Sequence, residues 1–316
     1  MWYWDLFILV LGGTGVWLGA EWLVKGSVRL AGYLGVPKVI IGLTVVAFGT
    51  SAPEWIVSML SAARGYNQIA LGNVIGSNVI NIGLVLGLAA ALGSLGRSHA
   101  VMKREIPWLW LSAGVFVLMS FHQGALSRID GAILLVMMAV YLWTGMRQAM
   151  KERLSLTLAP GWKQEELHTK DIVLLIAGLA LLLVGAEGMV RGAAGLARAA
   201  GVSERVIAVT LVAFGTSVPE LAASVVAAAR QEGEMAVGNV VGSNIFNNLL
   251  VLGTAAAIHP INTDINELWL ELIFFGILTL SVAPFLKRGK SVGRYYGFIL
   301  LAVYALFDVL LLCCAR

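Results

Sequence analysis

The chain has 316 residues, 59% of them hydrophobic and only 13% charged, with a net charge of +4 and a mean hydropathy of +0.86. A soluble domain carries about 25% charged residues, so this composition excludes a water-soluble fold. The basic residues are spread among loops, which excludes a nucleic-acid surface, and Cys313 and Cys314 stand adjacent near the C-terminus, which excludes a disulfide framework or a Cys/His metal spacing.

Taken in order, apolar runs of about twenty residues, each long enough to cross a bilayer, fill nearly the whole sequence. The first, opening MWYWDLFILVLGG, has neither a basic start nor a small-residue cleavage site and reads as a span, not a signal peptide. Ten spans are predicted, at about 4–24, 36–64, 69–94, 105–122, 128–148, 171–193, 202–230, 234–258, 267–286 and 294–313. The fold class is therefore an all-α integral membrane protein. The one long hydrophilic connection, 149–170, reads as a tether between a first five-helix unit (1–148) and a second (171–316).

The two units are copies. Thr44–Gly87 returns 166 residues later as Thr210–Gly253, with about 25 of 44 positions identical and no gap. AFGTS, PE, GN, GSN and a following Asn are kept while the apolar positions drift. The match extends to the first span, where LGAEWLVKG at Leu18–Gly26 answers VGAEGMVRG at Val184–Gly192. Five spans per unit place the second copy upside down relative to the first, an inverted repeat whose interrupted helices point to a transport site.

The kept residues carry the chemistry. Gly49 and Pro53 interrupt a helix at membrane depth, because proline removes a donor and clashes with the preceding turn. The carbonyls from Ala47 to Thr50 are then expected to lose their intrahelical partners. Glu54 follows at once, a carboxylate in mid-membrane with no Lys or Arg in its span at that depth; its helical neighbours are Thr50 and Ser51. Such a charge costs about 2.5–3.5 kcal/mol even on lenient insertion scales, so it needs a counter-charge from outside the chain. The second copy supplies Ala213, Thr216, Ser217 and Glu220. The next spans add Ser77 with Asn81 and Ser243 with Asn247, each pair four apart on one helix face. Two carboxylates and a set of neutral oxygens suit a hard cation such as Ca²⁺, which takes six to eight oxygens.

Other kept positions read as structure. Gly72, Gly76, Gly83 and Gly87 are spaced for helix packing. Asn73 and Asn78, with Asn239 and Asn244, read as caps of the helix breaks. Glu21 with Lys25, and Glu187 with Arg191, form i,i+4 pairs that read as structural or gating salt bridges. No nucleophile–base or metal–His set points to an enzyme. The four histidines are not repeated between the copies and carry no role, and the tryptophans cluster near span ends as an interfacial belt would.

Lys/Arg counting orients the chain: with the N-terminus outside, 16 of the 22 basic residues fall on cytoplasmic segments, including the 149–170 loop. Both termini are then outside, in a multi-pass protein of a plasma (inner) membrane.

With GTS-x-PE at Gly49–Glu54 and Gly215–Glu220, and GN-x-x-GSN-x-x-N at Gly72–Asn81 and Gly238–Asn247, the sequence resembles the cation/calcium exchanger superfamily, specifically its sodium/calcium exchanger branch. The resemblance covers both repeats and essentially the whole chain. It implies antiport of Na⁺ against Ca²⁺ by alternating access, with the first and sixth spans sliding over a rigid core and no cofactor. It implies that Glu54 and Glu220 bind both ions. Thr50, Ser51, Ser77 and the Ala47 carbonyl would form one Na⁺ site, and Thr216, Ser217, Ser243 and the Ala213 carbonyl its mirror. One departure stands out. Some prokaryotic members and the potassium-dependent branch have Asp where this chain has Asn247, which leaves two central carboxylates, argues against K⁺ dependence and bears on stoichiometry. A Ca²⁺/H⁺ exchanger is the alternative, since two carboxylates can trade Ca²⁺ for two protons; that branch carries GN-x-x-E instead. A cation channel fits less well, because channel pores usually form by oligomer symmetry.

Overall fold

The computed structural model describes residues 2–93, 95–96, 101–157, 166–202, 213–263, 265–287, 291–292 and 294–314. It is helical almost throughout. Helix α1 spans Trp2–Leu34, α2 Lys38–Thr50, α3 Ala52–Ala63, α4 Asn67–Leu92, α5 Ile106–Gln123 and α6 Arg128–Thr157. The second half follows with α7 at Thr169–Ala199, α8 at Ala213–Thr216, α9 at Val218–Ala229, α10 at Gly233–Ile258, α11 at Ile265–Lys287 and α12 at Arg294–Cys314. Six of these (α1, α4, α6, α7, α10 and α12) are long and apolar enough to cross a membrane, and α2 with α3 makes a seventh if the bent pair is one span. Helix α6 runs on to Thr157, so it takes up the first nine residues (149–157) of the predicted tether.

Helices α4 and α10 form the centre. In each, 78% of the most apolar stretch is buried, against 22% for α6 and α7 at the periphery. Gly238 and Gly242 of α10 let the backbone of α2 approach closely: a Cβ on them would stand 2.6 Å from Val39 O and 2.8 Å from Leu43 O. Gly83 and Gly87 of α4 seat α12 at Tyr304 and Gly297, as their spacing suggests, whereas Gly72 and Gly76 pack against nothing among the described residues, a Cβ on either meeting no atom within 4 Å.

Helices α1 and α7 run antiparallel along each other, joined by glycines at every seventh residue. Gly12, Gly19 and Gly26 lie on α1, and Gly178, Gly185 and Gly192 on α7. Backbone meets backbone here: a Cβ on Gly185 would lie 2.6 Å from Val16 N, and one on Gly178 2.5 Å from Leu23 N. Without hydrophobic driving force between helices in lipid, such close van der Waals approach is what holds a pair together.

The loops add two short antiparallel bridges that an all-helical reading does not contain. Strand β1 (Leu95–Gly96) pairs with β4 (Ser291–Val292), and β2 (Ala125–Leu126) with β3 (Ile261–Asn262). Extended loop backbone needs partners for its N–H and C=O groups, and these segments find them in each other. Leu95 opposite Val292 maps onto Ile261 opposite Leu126 under the 166-residue offset, so the bridges obey the same internal symmetry as the helices.

Candidate functional site: an oxygen cage between two broken helices

Helix α2 stops at Thr50 and α3 starts at Ala52, 45° off its direction. Pro53 sits in the first turn of α3, where its missing N–H costs nothing, and Glu54 occupies the same first turn, where the positive end of the helix dipole favours a carboxylate. The second copy repeats this: α8 ends at Thr216, α9 begins at Val218, and Pro219 and Glu220 share its first turn. In the long central helices the regular i,i+4 ladder gives way to wider π turns at Asn81–Leu86 and Asn247–Val251. Both π turns open on a predicted site asparagine, a placement that single-turn π insertions favour and that hydrophobic periodicity does not encode.

The structure buries the predicted polar residues and joins three pairs of them by side-chain contacts, Ser51 with Glu220, Ser217 with Glu54 and Ser77 with Asn247. All ten (Thr50, Ser51, Glu54, Ser77, Asn81, Thr216, Ser217, Glu220, Ser243 and Asn247) are buried, and Glu54 and Glu220 are wholly inaccessible. Among the described residues neither forms a salt bridge; the ion pairs are made by other acids, as at Lys38–Glu232 and Arg104–Glu105.

The repeats interlock at the carboxyls. Ser51 Oγ donates to Glu220 Oε1 at 2.9 Å, and Ser217 Oγ lies 3.4 Å from Glu54 Oε1. Each serine thus serves the glutamate of the other repeat. Sequence spacing places Thr50 and Ser51 beside Glu54 on one helix; the bond that Ser51 forms is to the glutamate of the other repeat. Asn247 Nδ2 donates to Ser77 Oγ at 2.9 Å, and Ser77 Oγ lies 2.7 Å from Asn73 O. One further expectation is modified. The Ala47 carbonyl is not freed by the break, because it accepts the Ser51 N–H at 3.0 Å and lies 3.4 Å from Thr50 Oγ1. The Gly49 carbonyl is the one that Pro53 deprives of a partner. Ala213 opens α8 at the edge of the described residues.

Several buried atoms at this centre have no hydrogen-bond partner: Glu54 Oε2, Glu220 Oε2, Asn247 Oδ1, Ser243 Oγ, and both Oδ1 and Nδ2 of Asn81. A buried unpaired polar atom costs about 1–3 kcal/mol, and more for a charged group. All but the Asn81 amide nitrogen are oxygens able to accept, converging from both repeats with two carboxylates among them. That donor set answers a positive charge. It consists of two carboxylates among neutral oxygens; no cluster of three or more His, Cys, Asp or Glu side chains occurs among the described residues.

Two residues of this centre were not singled out in the sequence. Ser58 and Ser224, one turn after each glutamate and wholly buried, accept from Asn73 Nδ2 and Asn239 Nδ2, both at 2.9 Å. Their identity in both copies was the available signal. Asn73 and Asn239 therefore reach across to neighbouring helices. Asn78 and Asn244 also bind other segments, Asn78 Nδ2 donating to Asn248 Oδ1 at 3.0 Å and Asn244 Nδ2 to Asn78 O at 3.3 Å.

The ends of the molecule break the symmetry. Both expected i,i+4 pairs form, Lys25–Glu21 at 2.9 Å and Arg191–Glu187 at 2.5 Å. Glu21 also binds Arg230 at the end of α9, a partner the sequence did not indicate. The equivalent of Arg230 is Arg64, and no Glu187–Arg64 pair forms; the Glu187 side chain is 60% exposed where that of Glu21 is 24%. Likewise α1 packs along α9, whereas α7 makes no comparable packing against α3. Among the described residues, α1 closes on α9 at the Arg230 end and α7 makes no such contact with α3 at the Arg64 end.

The family model described as sodium/calcium exchanger protein matches residues 4–146 and 170–313. The chain is 30% identical to the sodium/calcium exchanger MaX1 of Methanosarcina acetivorans over 343 residues, covering 97% of this chain and 98% of that one. It is 34% identical to the inner membrane protein YrbG of Escherichia coli, covering 92% and 94%. A solved structure of the sodium-calcium exchanger NCX_Mj, soaked with 10 mM Na⁺ and 10 mM Sr²⁺, superposes with a TM-score of 0.84 at 33% identity, over 98% of this chain and 99% of that one.

Proposed function

The chain belongs to the sodium/calcium exchanger protein family, and from that membership we propose that it is a secondary antiporter exchanging Na⁺ for Ca²⁺ through the two-glutamate cage. The observation that carries the reading is the set of unpartnered buried oxygens around Glu54 and Glu220. Two carboxylates balance one Ca²⁺, and the neutral oxygens of Thr50, Thr216, Ser51, Ser217, Ser77, Ser243, Asn81 and Asn247, with the carbonyls at Ala47 and Ala213, supply the rest of its coordination. Na⁺ takes the same oxygens. Binding is therefore competitive, and the empty cage, with two charges facing each other and no cation, resists conversion between the two access states. That penalty couples the fluxes.

The architecture we propose is ten spans in two inverted five-helix repeats. The 166-residue offset relates the broken helices, the π turns and the loop bridges, and the antiparallel α1–α7 pair supports the inversion. Such repeats transport by rocking or sliding one unit against the other around a fixed midplane site. The α1–α7 pair, held backbone to backbone, is the moving unit. Lys/Arg counting places both termini outside and the Arg230 end in the cytoplasm of an inner, plasma membrane; the closed Arg230 end then makes this an outward-facing state.

A Ca²⁺/H⁺ exchanger is the competing reading, because a buried carboxyl pair also trades one Ca²⁺ for two protons. The deciding experiment is ⁴⁵Ca²⁺ uptake into proteoliposomes loaded with Na⁺ and diluted into Na⁺-free buffer, beside a set carrying only a proton gradient. Uptake in the first set alone is expected. Uptake driven only by the proton gradient would transfer the assignment to the proton branch, and none in either would remove Ca²⁺ as substrate.

A further inference from the structure

We infer that Asn73 and Asn239 are positioning residues of the transport site, each tying the glutamate of its own repeat to the threonine of the other. Asn73 Nδ2 donates to the Glu54 carbonyl at 3.2 Å and to Ser58 Oγ at 2.9 Å. A backbone carbonyl only accepts, so the amide orientation is fixed and Oδ1 faces the opposite way. There it lies 3.3 Å from Thr216 Oγ1. An amide oxygen cannot donate, so at this contact Asn73 is the acceptor and the Thr216 hydroxyl the donor.

The second copy repeats every bond. Asn239 Nδ2 donates to the Glu220 carbonyl at 3.3 Å and to Ser224 Oγ at 2.9 Å, and its Oδ1 lies 3.2 Å from Thr50 Oγ1. Thr50 Oγ1 also lies 3.1 Å from Val46 O and 3.4 Å from Ala47 O, so Asn239 is one of three acceptors for its proton. Both asparagines are buried. In both copies the amide nitrogen is engaged by protein acceptors and the amide oxygen by a hydroxyl. Each fixes two things that the cage needs, the start of the helix that carries a glutamate and the direction of a hydroxyl that must not aim its proton at a cation. Because each asparagine spans the repeats, the two half-sites are held in one geometry. This role rests on the exchanger reading of the same site.

The test is the half-saturating Ca²⁺ concentration of the full chain in proteoliposomes, with Ca²⁺-dependent thermal stabilisation in detergent as a second readout that needs no transport. Asn73→Leu and Asn239→Leu keep the volume and remove every bond; each should raise half-saturation about tenfold, in line with the loss of one to two buried hydrogen bonds. Thr216→Val also removes a cage oxygen and should cost at least as much, and the Asn73→Leu/Thr216→Val double variant should lose less than the sum of the two, because the contact they share is lost only once. Ser58→Ala and Ser224→Ala leave the amides in place and should raise half-saturation about two- to threefold. Wild-type half-saturation in Asn73→Leu, or additive losses in the double variant, would overturn the inference. If the leucine variants do not accumulate, unaffected serine variants would overturn it. A wild type without Na⁺-driven uptake but stabilised by Ca²⁺ would defeat the exchanger reading alone, and the same variants would then be read by stabilisation.

Discussion

Replacing Glu54 by Gln tests the cage directly, because Gln keeps the volume and an oxygen for Ser217 while removing one of the two central charges. Glu54 is wholly buried, has no salt bridge among the described residues, and carries an unpartnered Oε2. Deleting one partner of a buried charge pair costs about 3–5 kcal/mol, and here the partner is the bound cation. Ca²⁺ affinity should fall by about two to four powers of ten, which takes ⁴⁵Ca²⁺ uptake at ordinary substrate concentrations to background. The ion-free protein should respond in the opposite sense. Two carboxylates that repel each other become one, so the Glu54→Gln protein without ions should melt no lower than wild type. The Ca²⁺-dependent rise in melting temperature, which follows the ratio of Ca²⁺ concentration to Kd, should nearly vanish. Glu220→Gln should match it by symmetry. Uptake within about threefold of wild type, with an unchanged Ca²⁺-dependent rise, would refute the argument and place the ion elsewhere.

Two further outcomes follow from the geometry. Gly185→Ala places a methyl 2.6 Å from Val16 N and 2.9 Å from Gly12 O, against backbone that cannot yield; overpacking of this kind costs about 1–3 kcal/mol, so the variant should melt lower and exchange poorly. Gly114→Ala, on an exposed helix face with no neighbouring atom within 4 Å, is the control, and equal behaviour of the two would contradict the close α1–α7 contact. Asn247→Asp adds a third carboxylate and removes the donor to Ser77. It should lower half-saturating Na⁺ more at alkaline than at acid pH, because the new group contributes charge only when ionised; no pH-dependent difference from wild type would place residue 247 outside the cage.

The membrane environment explains why so much of this protein was legible in its sequence. Polar residues in apolar spans are expensive, so those kept in both copies, Thr50, Ser51, Glu54, Ser77 and Asn81 with their counterparts, stood out without any structure. The chain's own repeat acted as a second copy against which to read them. Gly49 and Pro53 marked the helix break by local sterics alone, and the structure breaks there. The helical class and the two-carboxylate composition of the centre were likewise set by residue type and spacing.

What only the tertiary structure decided were the partners. Ser51 meets Glu220, 169 residues away, and Thr216 meets Asn73, 143 residues away. Spacing along one helix assigned these side chains to their own repeat, because periodicity describes a face but not what lies opposite. The bend at Ser51, the N–H that Ser51 returns to Ala47, and the π turns at Asn81 and Asn247 each redirect groups that an ideal helix would aim elsewhere. The asymmetry of the ends is beyond sequence for a different reason. Glu21 with Arg230 and Glu187 with Arg64 are equivalent pairs in the repeat, and only the packing of α1 on α9, without its counterpart, selects the pair that forms.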